Sequence, residues 1–334
     1  MTGHSFYRGI VAAAVAAFGT MLGAPPALSQ AQWPTSRITL VVPFTPGGST
    51  DILARLISQK LEAALGQTVV VENRAGAGGS TASAEVARSN PDGYTIAMGH
   101  IGTLSVNPNL YTKLGYDPLK SFEPVTMIAR VHNVLVVNPE LPVKSTKELI
   151  DYAKANPGKL NYASGGNGSG AHITTLAFND AAGIEMTHVP YRGTAPALQD
   201  LVAGQVQVAI TGAPAVLELA RSGRLRAIAV TGDRRIAAAP ELPTMSESGL
   251  PGFDVSQWYG IVVPAGTPRP IVDRLNREIR AALAPPEVAA RLAGEGADTW
   301  LMSPEEFRAH IAKETARWGD LIKRTKVPLI GAPS

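Results

Sequence analysis

Two glycine-rich, hydroxyl-bearing turns hold the residues best suited to chemistry in this chain: PFTPGGSTD at 43–51 and ASGGNGSGAH at 163–172. Each follows a strand-like run and opens a helix-like run. Such a turn leaves backbone N–H groups without partners, aimed at one spot with a helix dipole behind them, and so seats an anion. At Gly47 and Gly48 the reading is amide donation to a carboxylate, against a plain tight turn that needs positive φ. Asp51 would repel an anion, so it is expected to cap the helix or pin the loop by accepting backbone N–H bonds. Neither turn has a nucleophile, a base or a metal cluster beside it. Two seats far apart in sequence imply two lobes holding one small anion, and the chemistry is binding.

Other candidates lie at the ends of strand-like runs. Arg192 follows the run at 185–189, where a guanidinium can clamp a carboxylate through two N–H bonds or make a surface ion pair. Arg74 stands at a similar edge. His100 could hydrogen-bond a second carboxylate or be merely solvated. Trp258 and Tyr259 open the run WYGIVVP and either stack on a flat ligand or pack in the core. The turn Thr211-Gly212-Ala213-Pro214 is small and uncharged. If His100, Arg192 and Trp258 converge opposite the carboxylate seat, a flat aromatic dicarboxylate would use them together. A flexible dicarboxylate or citrate is the alternative ligand.

Catalysis finds little support. Ser169 lies in Gly168-Ser169-Gly170, but Asn167 breaks the full G-x-S-x-G elbow, and His172 is on the same turn rather than on a distant segment. A serine hydrolase is therefore only a remote alternative. No HExxH, EF-hand loop or Rossmann G-x-G-x-x-G after the first strand appears. Neither a metal nor a cofactor is expected.

The elements that must position these residues alternate. RITLVVPF (37–44) reads as a buried strand, and Thr50 to Leu65 carries Ile52, Leu53, Leu56, Ile57 and Leu61 at helical spacing, with Gly66 as C-cap. TVVVEN, a helix from Thr81 to Arg88 and YTIAMG continue a parallel, doubly wound unit, whose ligand sites lie beyond the carboxyl ends of the strands. Residues 107–124 read as irregular, and 125–138 as two strands leading into a second lobe. There the alternation resumes, and WYGIVVP is the return crossing. The tail is helical, its last helix opening from Ser303 with Glu306 three residues on, a capping box.

Composition narrows the class. Arg8, the apolar run Ile10 to Leu22 and small residues at Ser29-Gln30-Ala31 read as a secretory signal peptide over 1–31, too short to span a bilayer. Ala27-Leu28-Ser29 offers a competing cleavage site, so the mature chain starts at Gln30 or Gln32. The chain of 334 residues has no cysteine, which excludes disulfides, thiolate metal sites and a lipoprotein anchor. Together these predict a protein free in the periplasm. A net charge of +3 without a Lys/Arg run gives no sign of nucleic-acid binding.

At this point the sequence resembles the extracytoplasmic solute-binding proteins of tripartite tricarboxylate transporters, the Bug proteins. The carriers are RITLVVPFTPGGSTDILAR, VVVENRAGAGGS, NYASGGNGSGAH, VPYRGTAPALQDLVAGQV, LRAIAVTG, LPTMSESGLPGF, WYGIVVPAGTP and SPEEFRAHIAKETARW, in one order from Trp33 to about Val327. The resemblance implies an α/β Venus flytrap: two lobes, each a mostly parallel sheet flanked by helices, joined by two crossing strands. Lobe 1 would take residues 32–131 and 258–334, lobe 2 residues 132–257, with hinges near Arg130–Asn133 and Ser256–Trp258. It implies no enzymatic activity. It implies a ligand carboxylate held by Phe44, Thr45, Gly47, Gly48 and Thr50 in one lobe, and by Ser164, Gly165, Gly166, Gly168, Ser169 and His172 in the other. Its partners would be a small carboxylate and the large and small membrane subunits of the transporter, with the receptor a monomer. The rival role is a periplasmic sensory module docking on a receptor kinase. The sequence departs from the family at QVQVAITG, where many members carry an acidic residue, and at His100, where Thr or Ser is frequent.

Overall fold

The computed structural model describes residues 33–332; the leader reading at 1–31 lies outside them. The chain opens with β1 (Ile38–Val42), α1 (Ser49–Leu65), β2 (Val69–Asn73), α2 (Ser80–Ala87) and β3 (Thr95–His100). β1 lies between β2 and β3, parallel to both. Ile38, Leu40 and Val42 join one core while Val41 joins another, so both sheet faces are buried. That is why the run is apolar at every position but Thr39 rather than alternating. α1 buries Leu53, Leu56, Ile57 and Leu61 and stops where Gly66, at φ 67°, returns its N–H to the Glu62 carbonyl.

After β3 the chain forms one π-helical turn, Gly102–Val106, and the short α3 (Asn107–Leu110), the latter at the start of the stretch 107–124 read as irregular. It is followed by β4 (Phe122–Val137), a single strand of 16 residues where two were expected. Past Pro124 neither glycine nor proline interrupts the run, and the polar residues His132 and Asn133 find partners in place. β4 spans the molecule. Phe122 to His132 pair with β9 (Ser256–Pro264), and Asn133 to Val137 pair with β7 (Val208–Gly212).

The second lobe is built from α4 (Thr146–Ala155), β5 (Asn161–Ser164), α5 (Gly170–Ala182), β6 (Thr187–Pro190), α6 (Thr194–Val202), β7, α7 (Ala213–Arg221) and β8 (Arg226–Val230). β5 lies parallel between β7 and β6, and β8 pairs with the far end of β4. After β9 the chain returns through α8 (Arg269–Leu283), α9 (Pro286–Gly294), a short β10 (Ala297–Thr299) on β4, and α10 (Pro304–Thr325). α10 begins in the capping box read from sequence: Glu306 N–H donates to Ser303 Oγ at 3.1 Å and Ser303 N–H to the Glu306 carboxylate at 2.8 Å. Its carboxyl end reaches the other lobe, where Arg324 pairs with Asp180 of α5 at 2.8 Å.

Candidate functional site

The amino ends of α1 and α5 open on one cavity, which also receives the first residue of α6. Its wall is Phe44, Ser49, Thr50, His100, Gly165, Ser169, Gly170, Ala171, Thr194, Thr211, Gln257 and Tyr259. In a helix the first N–H groups have no carbonyl one turn back. In α1 the amides of Asp51 and Ile52 turn back to the Gly48 carbonyl. In α5 the Ser169 hydroxyl takes the His172 amide at 3.3 Å. The amides of Ser49, Thr50, Gly170 and Ala171 are left, with no protein partner among the described residues. Two helix dipoles converge behind them. The enclosed space is only ≈ 20 Å³, room for about one water and far below the ~300–1,000 Å³ of sites that enclose drug-sized ligands. The lobes therefore stand closed against each other.

The wall carries no charged side chain. His100 is 2% exposed, and burial pushes its pKa down from 6.5 to about 4, so the ring is neutral at pH 7. Its Nδ1 accepts from Gly102 N–H at 2.9 Å, so the ring proton sits on Nε2 and is donated to Gln257 Oε1 at 2.9 Å. Both nitrogens are committed. The expectation that His100 pairs with a second carboxylate is corrected accordingly: it lines the cavity without a free donor.

Several turn residues serve the fold instead of the cavity. Gly47 N–H donates to the Asp51 carboxylate at 3.0 Å, which also accepts from Asn73 at 3.0 Å and from the Arg55 guanidinium. Ser164 Oγ takes the Gly166 amide at 3.1 Å and lies 2.6 Å from His188 Nε2. Gly168 N–H goes to His172 Nδ1 at 3.0 Å. His172 faces away from the cavity, stacked on His188 with ring centres 4.1 Å apart. Thr45 and Gly48 sit where the lobes touch: a Cβ on Gly193 would lie 1.9 Å from Thr45 Oγ1, and one on Gly48 would lie 3.3 Å from Thr194 Oγ1. Of the turn residues, Phe44, Thr50, Gly165 and Ser169 reach the wall.

Arg192 is exposed and outside the wall. Arg74 spends its guanidinium on Glu72 at 2.6 Å and Glu85 at 3.2 Å. Trp258 is buried on the opposite face of β9, its Nε1–H donated to Glu314 at 3.1 Å and its ring edge-on to Phe307. Strand alternation decides this: Gln257 and Tyr259 share the cavity face, so Trp258 cannot. The convergence of His100, Arg192 and Trp258 on an aromatic acid does not occur. Thr211, from the small uncharged turn, is in the wall, whereas Ser49, Gly170, Ala171, Thr194 and Gln257 were not singled out from the sequence. Two signals point to them: the first two positions of each helix hold the free amides, and period-two alternation in β9 selects 257 and 259.

A cleft between two α/β lobes spanned by two strands, faced by helix amino ends and walled without charge, defines a solute-binding protein. The chain belongs to the tripartite tricarboxylate transporter receptor family, whose model matches residues 53–327. It is 39% identical to the protein BugT of Bordetella pertussis over 318 residues, covering 95% of this chain and 98% of that one. Among solved structures it resembles the periplasmic binding protein BugD (TM-score 0.85, 37% identity, 90% of this chain and 100% of that one). It also resembles R. palustris Rpa4515 with adipate (TM-score 0.86, 41% identity, 88% and 98%) and MatC of Rhodopseudomonas palustris with bound malate (TM-score 0.82, 37% identity, 86% and 99%). The protein is thus a periplasmic solute-binding receptor of the Bug type, not an enzyme. No described helix is long and apolar enough to cross a membrane.

Proposed function

We propose that the cleft widens to admit one aliphatic dicarboxylate of C4–C6 length, which this receptor holds between the amino ends of α1 and α5 and delivers to the large and small membrane subunits of a tripartite tricarboxylate transporter. The observation that carries this reading is the set of four uncommitted first-turn amides, from Ser49, Thr50, Gly170 and Ala171, contributed by both lobes to one cavity. Amides and dipoles stabilise an anion without a cation in the wall. The adipate and malate in the relatives' structures support the ligand class. An aliphatic acid is favoured because Arg192 and Trp258 lie outside the wall and His100 has no donor free for a second carboxylate. A cleaved leader over 1–31, a lobe division of 32–131 with 258–334 against 132–257, and a monomeric receptor complete the proposal.

Isothermal titration of the mature protein with succinate, malate, adipate, citrate and terephthalate tests it. One-site binding of an aliphatic diacid at micromolar Kd, tighter than terephthalate, is expected. Binding of a neutral sugar, with no carboxylate bound, would overturn it. Because the wall is uncharged and enclosed, Kd should change little between low and high salt, unlike binding to an exposed cationic patch.

A further inference from the structure

Gln257 stands where both lobes and both crossing strands meet. Its Oε1 accepts from His100 Nε2–H of β3 at 2.9 Å and from the Tyr259 hydroxyl at 2.7 Å. Its Nε2 donates to Asn133 Oδ1 of β4 at 2.5 Å. Asn133 donates onward, to Thr174 Oγ1 of α5 at 3.2 Å and to the Val255 carbonyl at 3.1 Å. The same carboxamide presses on the first turn of α5: a Cβ on Gly170 would lie 2.3 Å from Gln257 Oε1. Gln257 and Asn133 are both buried, 5% and 0% exposed. One uninterrupted chain therefore runs from the lobe 1 wall, across β9 and β4 at the point where β4 changes partners, into the helix whose amino end faces the cavity.

A buried carboxamide with these partners is a tight geometric constraint: the His100 and Tyr259 bonds tie it to one lobe and the Asn133 bond anchors it in the other, and losing one leaves a desolvated group unpaired. We propose that Gln257 is a positioning residue that holds the amino ends of α1 and α5 in register, so that it sets carboxylate affinity through the spacing of the two donor sets rather than by donating to the ligand. The inference rests on the reading of the cleft given above. It explains why a glycine opens α5, since only a residue without Cβ lets the helix end approach the carboxamide. It also gives His100 a function as the second anchor of the carboxamide oxygen.

The absence of cysteine allows clean labelling. Spin labels on Gln59→Cys in α1 and Lys154→Cys in α4, both exposed, report the interlobe distance by pulsed dipolar spectroscopy. Gln257→Met keeps the volume and removes the bonds. Without added ligand it should shift the distance distribution to longer values, and Kd for whichever carboxylate the parent protein binds should rise at least tenfold. Far-ultraviolet circular dichroism should be unchanged. Asn133→Ala, at a residue outside the cavity wall, should act in the same direction and decides the matter if Gln257→Met fails to fold. A double substitution should weaken binding by less than the product of the single effects, because both break one chain. Unchanged distances in the variants overturn the proposal whatever the ligand proves to be. A parent protein that binds no carboxylate sinks the functional reading alone.

Discussion

At Asp51 a carboxylate that would repel an anionic ligand builds the loop that receives one. Burial alone would raise its pKa, but hydrogen bonds from Arg55, the Gly47 amide and Asn73 outweigh it and hold the group below the usual carboxylate range. A depressed carboxylate contributes stability that is present above the unfolded pKa, near ~4, and is lost as pH falls through the folded value. Asp51→Asn keeps the size but presents one oxygen where two accepted bonds. Urea unfolding at pH 7 should show a loss of about 1–3 kcal/mol. The variant should also lose less stability than the parent protein below pH ~4. An unchanged midpoint at pH 7 would mean that the carboxylate is incidental to the loop.

At the scale of elements, α5 and its neighbouring strands carry a second pH dependence in a different window. His100, His172 and His188 are held neutral, with pKa values pushed by burial from 6.5 to about 4, about 4 and about 3, the last also opposed by His172. Between pH ~6.5 and those values the unfolded chain binds more protons than the folded one, so stability falls as pH drops. Calorimetric Tm should be level above pH 7 and decline steeply between pH 6.5 and 4. His188→Gln should shallow that decline by removing one proton-accepting site. A Tm that stays level to pH 5 would refute the assignment. The element pattern itself was legible because buried parallel strands are nearly continuous apolar runs and amphipathic helices repeat at 3.6, as in Ile38–Val42 and Ser49–Leu65. The site was legible to within a residue or two. The glycines mark the turns, but their amides are consumed by Asp51, Ser164 and His172, and the free donors fall on the first helical positions that follow. Gln257 and Asn133 were not legible, because their meaning comes from contacts 124 positions apart in sequence.

For the whole molecule, closure brings backbone onto backbone. The turn at 165–169 of one lobe lies against Ala77–Gly79 and the π-helical turn of the other, and the Tyr111 hydroxyl lies within 3.2 Å of the Ala77 carbonyl and 3.3 Å of the Asn167 carbonyl. Gly78 is the point on this seam where main chain comes nearest to main chain. Its φ is +61°, and a Cβ there would stand 1.8 Å from the Asn167 carbonyl oxygen, a main-chain atom that cannot swing aside. Gly78→Ala therefore carries two separable costs: left-handed backbone strain of about 1–2 kcal/mol, and a clash that only separation of the lobes relieves. Gly223→Ala isolates the first, since Gly223 has φ +72° and a Cβ added there would meet nothing within 4 Å. Both variants should lose thermal stability, Gly78→Ala the more. Only Gly78→Ala should enlarge the radius of gyration in solution scattering and weaken diacid binding by tenfold or more. A ligand binds through donors on both lobes, so propping them apart removes half of the donor set even though every donor remains in the sequence. Equal radii and equal affinities in the two variants would show that the seam yields without opening the cleft, and that the affinity lies in one lobe.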